Sequence, residues 1–214
     1  YFAATQQGQI KRFERKELSP WRTYRSKSTK YAKLKDQDDR IVAVAPVVLE
    51  DIMIITKNGY GLRFNVEEVP VVGAKAAGVK AINLKDGDQV AAAFKSTTPS
   101  MYILTQRGSL KRMLQDDIPV TSRAKRGLQV LRELKNKPHR VFKAGPVFTD
   151  QGDFDLFTSQ EEVAEQDQIL QITSTTGQVT EVDLTQLSIS ERTSNGSFVN
   201  DTISDQEVFS ATIK

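Results

Sequence analysis

A four-residue signature recurs four times along this chain and constrains its fold more than any other feature. The signature is a threonine or serine, two further residues and a glycine, as in TQQGQIKR, TKNGYGLRF, TQRGSLKRM and STTGQVTEV. Its glycines, Gly8, Gly59, Gly108 and Gly177, are 51, 49 and 69 residues apart. A second glycine follows 19 residues later in three copies, whereas the first copy has Lys27 there. Recurrence at this period predicts a repeat architecture.

Each signature lies between two apolar stretches, which predicts a β-hairpin with the glycine at its turn. The first stretch of a hairpin, such as IMII or MYIL, is apolar throughout, which is typical of a strand covered on both faces. A third apolar stretch recurs later in each repeat, as IVAVA, VAAAF, VFKA and VFSA. Four strands in about 50 residues are typical of a propeller blade. RGLQVLRELKNK is the best helical candidate, but the repeat alignment predicts a strand and a turn there.

We therefore predict an all-β, propeller-like fold that forms a single domain over residues 1–214. It has about four blades, each a four-stranded antiparallel sheet. The predicted blades are 1–50, 51–99, 100–148 and 149–214. The fourth repeat contains about 20 additional residues, an acidic stretch between Thr149 and Gln168 that we expect to form a loop. Because the chain begins in the middle of a predicted strand at Tyr1 and without Met, we expect one or two further blades upstream, and hence a partial disc.

The charge of the chain is distributed unevenly. Residues 1–140 contain 27 Lys and Arg against 14 Asp and Glu, a net charge of +13. Residues 141–214 contain 3 against 13, a net charge of −10, so that the whole chain carries only +3. A segment as basic as the first attracts polyanions, of which nucleic acid is the commonest.

Cations recur at two equivalent places in the first three repeats. One group follows the turn glycine, as at Lys111 and Arg112, whereas the fourth copy has Glu181 there. The other group lies near the second glycine. Stacked blades would align equivalent positions into a curved positive band, which suits contacts with phosphates. The candidate residues for contacts with duplex DNA are Lys11, Arg12, Arg15, Arg22, Arg25, Lys27, Lys30, Lys57, Arg63, Lys75, Lys80, Arg107, Lys111, Arg112, Arg123, Lys125 and Arg126.

Two functions are compatible with such a band. A rigid basic rim can bend duplex DNA, because many phosphate contacts offset the elastic cost of bending. Alternatively, the cations only keep blade edges soluble and unpaired, and the chain is a protein-interaction scaffold that binds little DNA. Recurrence in three repeats together with loss in the acidic fourth favours DNA binding.

The sequence contains no convincing catalytic or metal site. It has no cysteine, which excludes disulfides and cysteine-ligated metals and fits a cytoplasmic protein. The single histidine, His139, has no Ser, Cys or Asp at an informative spacing, and we interpret it as a turn residue. Asp150, Asp153 and Asp155 alternate but do not match an EF-hand. No apolar stretch approaches the roughly 18 to 20 residues of a membrane helix. We expect a non-catalytic chain with no cofactor, no metal and no membrane partner.

Several longer stretches carry a resemblance to a known family. The pattern T-x-x-G-x-[IL]-K-R resembles the C-terminal domain of bacterial type IIA topoisomerase A subunits, the gyrase A/ParC C-terminal β-pinwheel family. Four longer stretches resemble the topoisomerase IV branch of this family in Gram-positive bacteria. They are SPWRTYRSKSTKYAKLKD, EEVPVVGAKAAGVKAINLKDGD, TSRAKRGLQVLRELKNKPHRVF and LSISERTSNGSFVNDTISDQEVF. The resemblance covers the whole chain. Gyrase A members carry a QRRGGKG-like box that these 214 residues lack, which favours this branch over a gyrase A wrapping domain.

The resemblance implies a β-pinwheel, a propeller-like disc, commonly of five or six blades, in which neighbouring blades exchange a strand. It implies that the basic rim binds and bends DNA and presents DNA segments to a cleavage core. The implied partners are double-stranded DNA, the ATPase B subunit, and the rest of the topoisomerase IV A subunit. The catalytic tyrosine would lie outside this chain, and the enzyme would be cytoplasmic and associated with the nucleoid.

Overall fold

The computed structural model describes residues 1–18, 32–34, 36–73, 75–85, 87–148, 168–199 and 207–214. All regular structure in these ranges consists of β-strands and three short 3-10 helices, which confirms the all-β prediction. The 3-10 helices are Arg15–Leu18, Val66–Glu68 and Gln115–Asp117. In chain order the strands are β1 (Phe2–Thr5), β2 (Gln9–Arg12), β3 (Ile41–Ala45), β4 (Asp51–Thr56), β5 (Tyr60–Asn65), β6 (Val79–Lys80), β7 (Val90–Lys95), β8 (Ser100–Thr105), β9 (Ser109–Leu114), β10 (Leu128–Gln129), β11 (Val141–Val147), β12 (Ile169–Ser174), β13 (Val179–Asp183), β14 (Ser197–Phe198) and β15 (Val208–Ile213).

The strands form four antiparallel sheets, which we call blades 1 to 4. Their strand orders are β3-β1-β2-β6, β7-β4-β5-β10, β11-β8-β9-β14 and β15-β12-β13. In blades 1 to 3 the outer strand belongs to the following repeat. Val79 of the second repeat, for example, pairs with Ile10 of the first. This is the strand exchange that the resemblance implied. Blade 4 has three strands in the described residues rather than the expected four, because no outer strand pairs with β13 there.

The core lies between successive blades, and the inner strand pairs supply it from both faces. In β4, Ile52 and Ile54 pack towards blade 1, whereas Met53 and Ile55 pack towards blade 3. All four side chains are fully buried. The strand β8 repeats this arrangement between blades 2 and 4. Since alternate residues of a strand point to opposite faces, an uninterrupted apolar strand is what a stacked blade requires.

The hairpin turn itself explains the threonine and the glycine of the repeated signature. In all four copies the backbone N–H of the turn glycine donates to the carbonyl three residues earlier, over 3.0 Å. The side-chain oxygen of the threonine or serine then accepts from the backbone N–H four residues later, over 3.1 to 3.2 Å. The turn glycine adopts a positive φ, 76° at Gly8 and 84° at Gly177. Residues with a side chain rarely adopt this backbone conformation. The signature is therefore required by the fold.

The segment RGLQVLRELKNK forms no helix. Only Leu128 and Gln129 are in regular structure there, as the strand β10, which confirms the prediction of a strand and a turn. The acidic stretch that we expected to form a loop before Gln168 lies outside the described residues. Among the described residues, no helix is long and apolar enough to span a membrane.

The second glycine of the later three repeats permits strand exchange, and this predicts a difference between two glycine substitutions. Gly127 has φ 84°, and a Cβ atom there would lie 2.4 Å from the carbonyl oxygen of Gly61. Gly87 has φ 77°, but a Cβ atom there would meet nothing within 4 Å. We expect Gly127→Ala to lower the free energy of unfolding by about 3 kcal/mol, and Gly87→Ala by only about 1 kcal/mol, since strain alone acts at Gly87. Urea unfolding of both variants measures the difference, and equal losses would contradict it.

Candidate nucleic-acid interface

The lysines that follow two of the turn glycines are buried. Lys111 is 2% exposed, and its ammonium donates to the carbonyl oxygens of Val130 and Arg192, each over 2.6 Å, and of Ser194 over 2.9 Å. It therefore ties β9 to the outer segments of the third and fourth repeats. Lys11 is also 2% exposed, and its ammonium lies 3.4 Å from the carbonyl oxygen of Gly73. Both lysines thus contact backbone of the incoming repeat.

The arginine that follows at the next position is half-buried in each of the first three repeats. Each guanidinium donates a hydrogen bond to a backbone carbonyl or a carboxylate in the repeat that supplies the outer strand. Arg63 also donates to a carboxylate of its own strand pair. The bonds are Arg12 Nε to Val69 O (2.6 Å), Arg63 Nη1 to Asp116 (2.8 Å), Arg63 Nε to Asp51 (3.1 Å) and Arg112 Nη1 to Thr185 O (2.6 Å). The backbone of the same arginines forms isolated parallel bridges with Val71, Val120 and Ile189. The three sites are thus geometrically equivalent.

These contacts give the cations after the turn a structural function in strand exchange. Their equivalence across blades agrees with the aligned band that the repeat predicted. However, the ammonium groups of Lys11 and Lys111 point into the protein rather than to solvent. The cations near the second glycine are more exposed and are therefore the better candidates for the contact surface.

The exposed cations near the second glycine lie on outer segments that contact one another. We call segments 75–83, 121–132 and 190–199 the outer rim. The backbone N–H of Ala124 donates to Ala81 O over 2.7 Å, and that of Asn83 donates to Lys125 O over 2.8 Å. Farther along, the backbone N–H of Arg132 donates to the side chain of Asn195 over 2.8 Å. The segments of successive repeats therefore follow one another around the blades without a gap.

Four of the predicted residues are exposed on this outer rim, namely Lys75, Lys80, Lys125 and Arg126. The guanidinium of Arg126 lies 4.4 Å from the centroid of the Tyr60 ring and donates a hydrogen bond to its hydroxyl. The ring thereby holds this cation in one place at the surface. Arg123, half-buried between the second and third repeats, donates to Glu68 O over 3.0 Å and to Lys80 O over 2.9 Å.

The remaining predicted residues are distributed over other surfaces or lie outside the described part. Arg15 and Lys57 are exposed, and Arg107 is half-buried, with its guanidinium 2.8 Å from Lys137 O. The four others, which lie outside the described residues, are Arg22, Arg25, Lys27 and Lys30.

Among the exposed cations that sequence reasoning missed are Lys85, Arg132 and Lys135. They lie five to eight residues after a second glycine, so the repeat alignment contained the signal that could have found them. Arg132 belongs to the outer rim and extends it towards blade 4.

The outer rim loses its positive charge at the fourth repeat. Glu191 is exposed there, and the neighbouring Arg192 donates to the carbonyl oxygen of Gln129. On the strand pair of blade 4, Glu181 occupies the position that Arg12, Arg63 and Arg112 occupy elsewhere. Blade 4 therefore forms the acidic end of the band.

His139 is 6% exposed and packs beside a hairpin turn. Its Nδ1 lies 3.1 Å from Thr105 Oγ1, and its Nε2 lies 3.2 Å from Arg107 Nη1. Burial and the adjacent Arg107 lower its pKa. These contacts fit a structural residue. Within the described ranges, no group of three or more His, Cys, Asp or Glu side chains could hold a metal ion.

The buried ammonium of Lys111 predicts a specific pH dependence of stability. Burial, followed by repulsion from Arg192, lowers its pKa from 10.5 to about 8, although Asp117 acts in the opposite direction. Between these two pH values the unfolded chain binds more protons, so the contribution of Lys111 to stability rises with pH. We expect the difference in unfolding free energy between the natural chain and Lys111→Met to grow by about 1 to 3 kcal/mol from pH 7.5 to pH 10. Urea titrations at several pH values test this, and a difference that shrinks with pH would contradict it.

Stacked antiparallel blades that exchange their outer strand define a β-pinwheel domain. A family model described as DNA gyrase C-terminal domain, beta-propeller, matches residues 1–47, 50–97 and 100–147. The chain belongs to this family. It is similar to the A subunit of DNA topoisomerase 4 from Streptococcus pyogenes serotype M3 (strain ATCC BAA-595 / MGAS315), with 63% identity over 99% of this chain and 26% of that protein. The protein of the same name from Streptococcus pneumoniae serotype 4 is 63% identical over 99% of this chain and 25% of its own length. The chain thus spans about a quarter of these relatives.

Solved structures agree with this placement. The chain is similar to "Crystal structure of the C-terminal domain of DNA topoisomerase IV", with a TM-score of 0.81 and 32% identity over all of this chain and 61% of that one. It also matches "Structure of DNA gyrase A C-terminal domain", with a TM-score of 0.73 over 99% of this chain and 64% of that one. At 18% identity, the second match shows the fold alone. Together they confirm the β-pinwheel that the sequence resemblance implied.

Proposed function

We propose that this chain is the DNA-binding module of a topoisomerase IV A subunit, in which its outer rim grips the backbone of duplex DNA. The observation that carries the proposal is the backbone contact between segments 79–83 and 121–126, which brings exposed cations of two repeats into one continuous surface. Phosphates recur at a fixed spacing along a duplex, so a row of cations on a rigid surface contacts them without reading the base sequence. The relatives named above support the assignment.

Within the whole enzyme, we infer that the module bends DNA and presents segments to a cleavage core. The curvature of stacked blades favours bending, because each additional phosphate contact offsets part of the elastic cost. The catalytic tyrosine and the ATPase B subunit would lie outside these 214 residues, so this chain contributes binding rather than chemistry. We place the enzyme in the cytoplasm, with the nucleoid.

The contacts that we propose are made by Lys75, Lys80, Lys125, Arg126 and Arg132. Lys57, Arg107 and Arg15 stay predictions without an assigned place on the rim. We assign Lys11 and Lys111 to strand exchange instead, since their ammonium groups donate to buried carbonyls.

Salt dependence of duplex binding tests the proposal directly. If about five phosphates are neutralised, the logarithm of the association constant falls with the logarithm of salt concentration with a slope of about −4.5. A fluorescently labelled duplex of about 40 base pairs and anisotropy titrations from about 50 to 300 mM salt measure the slope. Unrelated duplex sequences should give the same value. A slope near zero would exclude an interface based on phosphate contacts.

A further inference from the structure

Within the described part of the chain, blade 4 lacks the outer strand that completes each of the other blades, and we call this place the open position. In blades 1 to 3, a two-residue strand from the following repeat pairs with the outer edge of the hairpin, as β6, β10 and β14. In the described residues, β13 has no such partner. Ile10 and Leu110 pack into the core shared with the following blade and are 1% and 4% exposed. Val179, at the same position of β13, has no following blade in the described residues and is 53% exposed.

The three filled positions specify what the open one accepts. In each, a glycine with positive φ lies directly against the inner strand, so that a Cβ atom would come within 2.3 to 2.4 Å of the carbonyl oxygen of Ile10, Gly61 or Leu110. The third residue after that glycine then donates its N–H to the carbonyl of the turn glycine, as Val130 does to Gly59 over 2.7 Å. The equivalent acceptors in blade 4 are the carbonyls of Val179 and Gly177. The occupant therefore needs a glycine followed by an extended segment.

Among the described residues, no strand pairs with the outward backbone groups of β13. The carbonyl of Gln178 accepts from Ser174 N–H, and the N–H of Leu184 donates to Gln168 O, so both residues direct their backbone groups towards β12. By strand alternation, the N–H and C=O groups of Val179 and Glu181 point to the opposite side, which is the open edge. An unpaired edge of this kind is a template for an added strand.

The charge of the open position is opposite to that of the filled ones. In the filled blades, Arg12 and Arg112 donate to backbone carbonyls of the repeat that supplies the outer strand. Arg63 donates to the carboxylate of Asp116 in that repeat. In blade 4 the equivalent residue is Glu181, and neither β12 nor β13 contains a cation. A carboxylate requires a donor, so an occupant that carries Lys or Arg is favoured.

The carboxylate of Glu181 retains room for such a donor. Lys214 and Gln171 both donate to the same oxygen of this carboxylate, Oε1. The ion pair with Lys214 is about half exposed on both sides, and exposed pairs contribute little. The second oxygen, Oε2, can therefore accept from a cation of the occupant.

We propose that β13 is a docking edge for a partner polypeptide that adds a short strand, and that the partner supplies a glycine and basic side chains in the segment that docks. The partner strand pairs with Val179 and places its glycine against the Val179 carbonyl, and a Lys or Arg next to this strand meets Glu181. The edge is a protein-binding surface at the acidic end of the domain, separate from the cationic rim. It is independent of whether the rim binds DNA.

A peptide-binding experiment on the full-length A subunit that contains this chain tests the proposal. The probe is a fluorescein-labelled peptide with the sequence of residues 123–131, RAKRGLQVL, which is itself a basic donor segment. The control peptide, RAKRVLQVL, has valine in place of the glycine and the same charge. We expect saturable binding of the first peptide, measured by anisotropy, and binding at least about tenfold weaker for the second, since the valine Cβ cannot be accommodated.

Two matched substitutions in β13 locate the site. Val179→Pro removes the outward N–H but is compatible with an edge strand, and we expect about a tenfold loss of affinity. Val179→Thr keeps the N–H and a β-branched side chain, and we expect a change of less than about twofold. Glu181→Arg should weaken binding of the basic peptide and make the residual binding less dependent on salt.

Three results would overturn the proposal. No binding of RAKRGLQVL to the full-length protein would mean that the edge is closed, for example by a segment outside residues 1–214. Equal binding of both peptides would mean that charge alone holds them. Equal affinity of Val179→Pro and Val179→Thr would place the peptide elsewhere.

Discussion

Replacing Lys111 by methionine is expected to lower the free energy of unfolding by about 3 kcal/mol. The ammonium of Lys111 donates to the carbonyl oxygens of Val130, Arg192 and Ser194. Methionine fills most of the same volume but donates no hydrogen bond, so these acceptors lose their donor in a place that water does not reach. The loss is smaller than the sum of three charged hydrogen bonds, because the methionine also escapes the desolvation cost that lowers the pKa of Lys111.

Equilibrium urea unfolding of the 214-residue chain measures this loss, and Lys135→Met is the matched control. Lys135 is exposed, so the same change of side chain should alter stability by less than about 0.5 kcal/mol there. The loss at Lys111 should be accompanied by faster hydrogen exchange of the Val199 N–H, whose bond to Gly108 O fixes the exchanged strand β14. A Lys111→Met variant as stable as the natural chain would mean that the ammonium does not hold the two repeats together.

The fold was largely predictable because each repeat contains strong local signals. Threonine and glycine in the turn, an apolar strand before them and a second glycine at a constant offset each correspond to one contact in the structure. Thr56 accepts the hydrogen bond that closes its turn, and Gly127 allows β10 to approach β5. Only the resemblance implied the strand exchange, since a two-residue strand such as Leu128–Gln129 carries too little pattern to reveal its partner.

The candidate site was predictable only in part. The sequence shows which residues are charged, but not whether a charged side chain faces solvent or the protein interior. Lys111 and Lys125 look alike in the sequence, yet one is buried and the other exposed. The burial of Lys111 depends on carbonyls at positions 192 and 194, 81 and 83 residues away along the chain. One local signal was present, since the second repeat has Leu62 at the position of Lys11 and Lys111. A leucine there indicates a buried environment, in which a lysine needs dedicated partners.

Strand exchange and cation placement are connected in this domain. Each blade is completed by the repeat after it, and the same outer segments that complete the blades carry the exposed cations. The Lys80 carbonyl, for example, accepts from Arg123 of the next repeat over 2.9 Å. Rigidity of the rim therefore depends on the buried contacts beneath it, so a change at Lys111 should affect binding only through the position of the outer segments.

Neutralising three cations of the outer rim is expected to weaken duplex binding roughly 500-fold at about 0.1 M salt. The variant is Lys80→Gln, Lys125→Gln and Arg126→Gln in one chain. Each lost phosphate contact removes about 0.9 from the magnitude of the log–log salt slope. At this salt concentration, that loss lowers the association constant by about eightfold. The slope should become less steep by about 2.7, and the loss should be the same for unrelated duplex sequences, since phosphates carry no sequence information.

A second triple variant, Lys16→Gln, Lys95→Gln and Lys214→Gln, controls for net charge. It removes the same three charges, but each of these lysines forms an ion pair with a glutamate and lies outside the rim segments. Because a general attraction between a basic chain and DNA would respond equally to both variants, only a localised interface separates them. We expect the control to keep its slope within about 0.5 of the natural chain, and anisotropy titrations from about 50 to 300 mM salt measure both. Equal effects of the two variants would mean that DNA binding depends on net charge and has no localised interface. A larger effect of the control would mean that the DNA binds away from the outer rim.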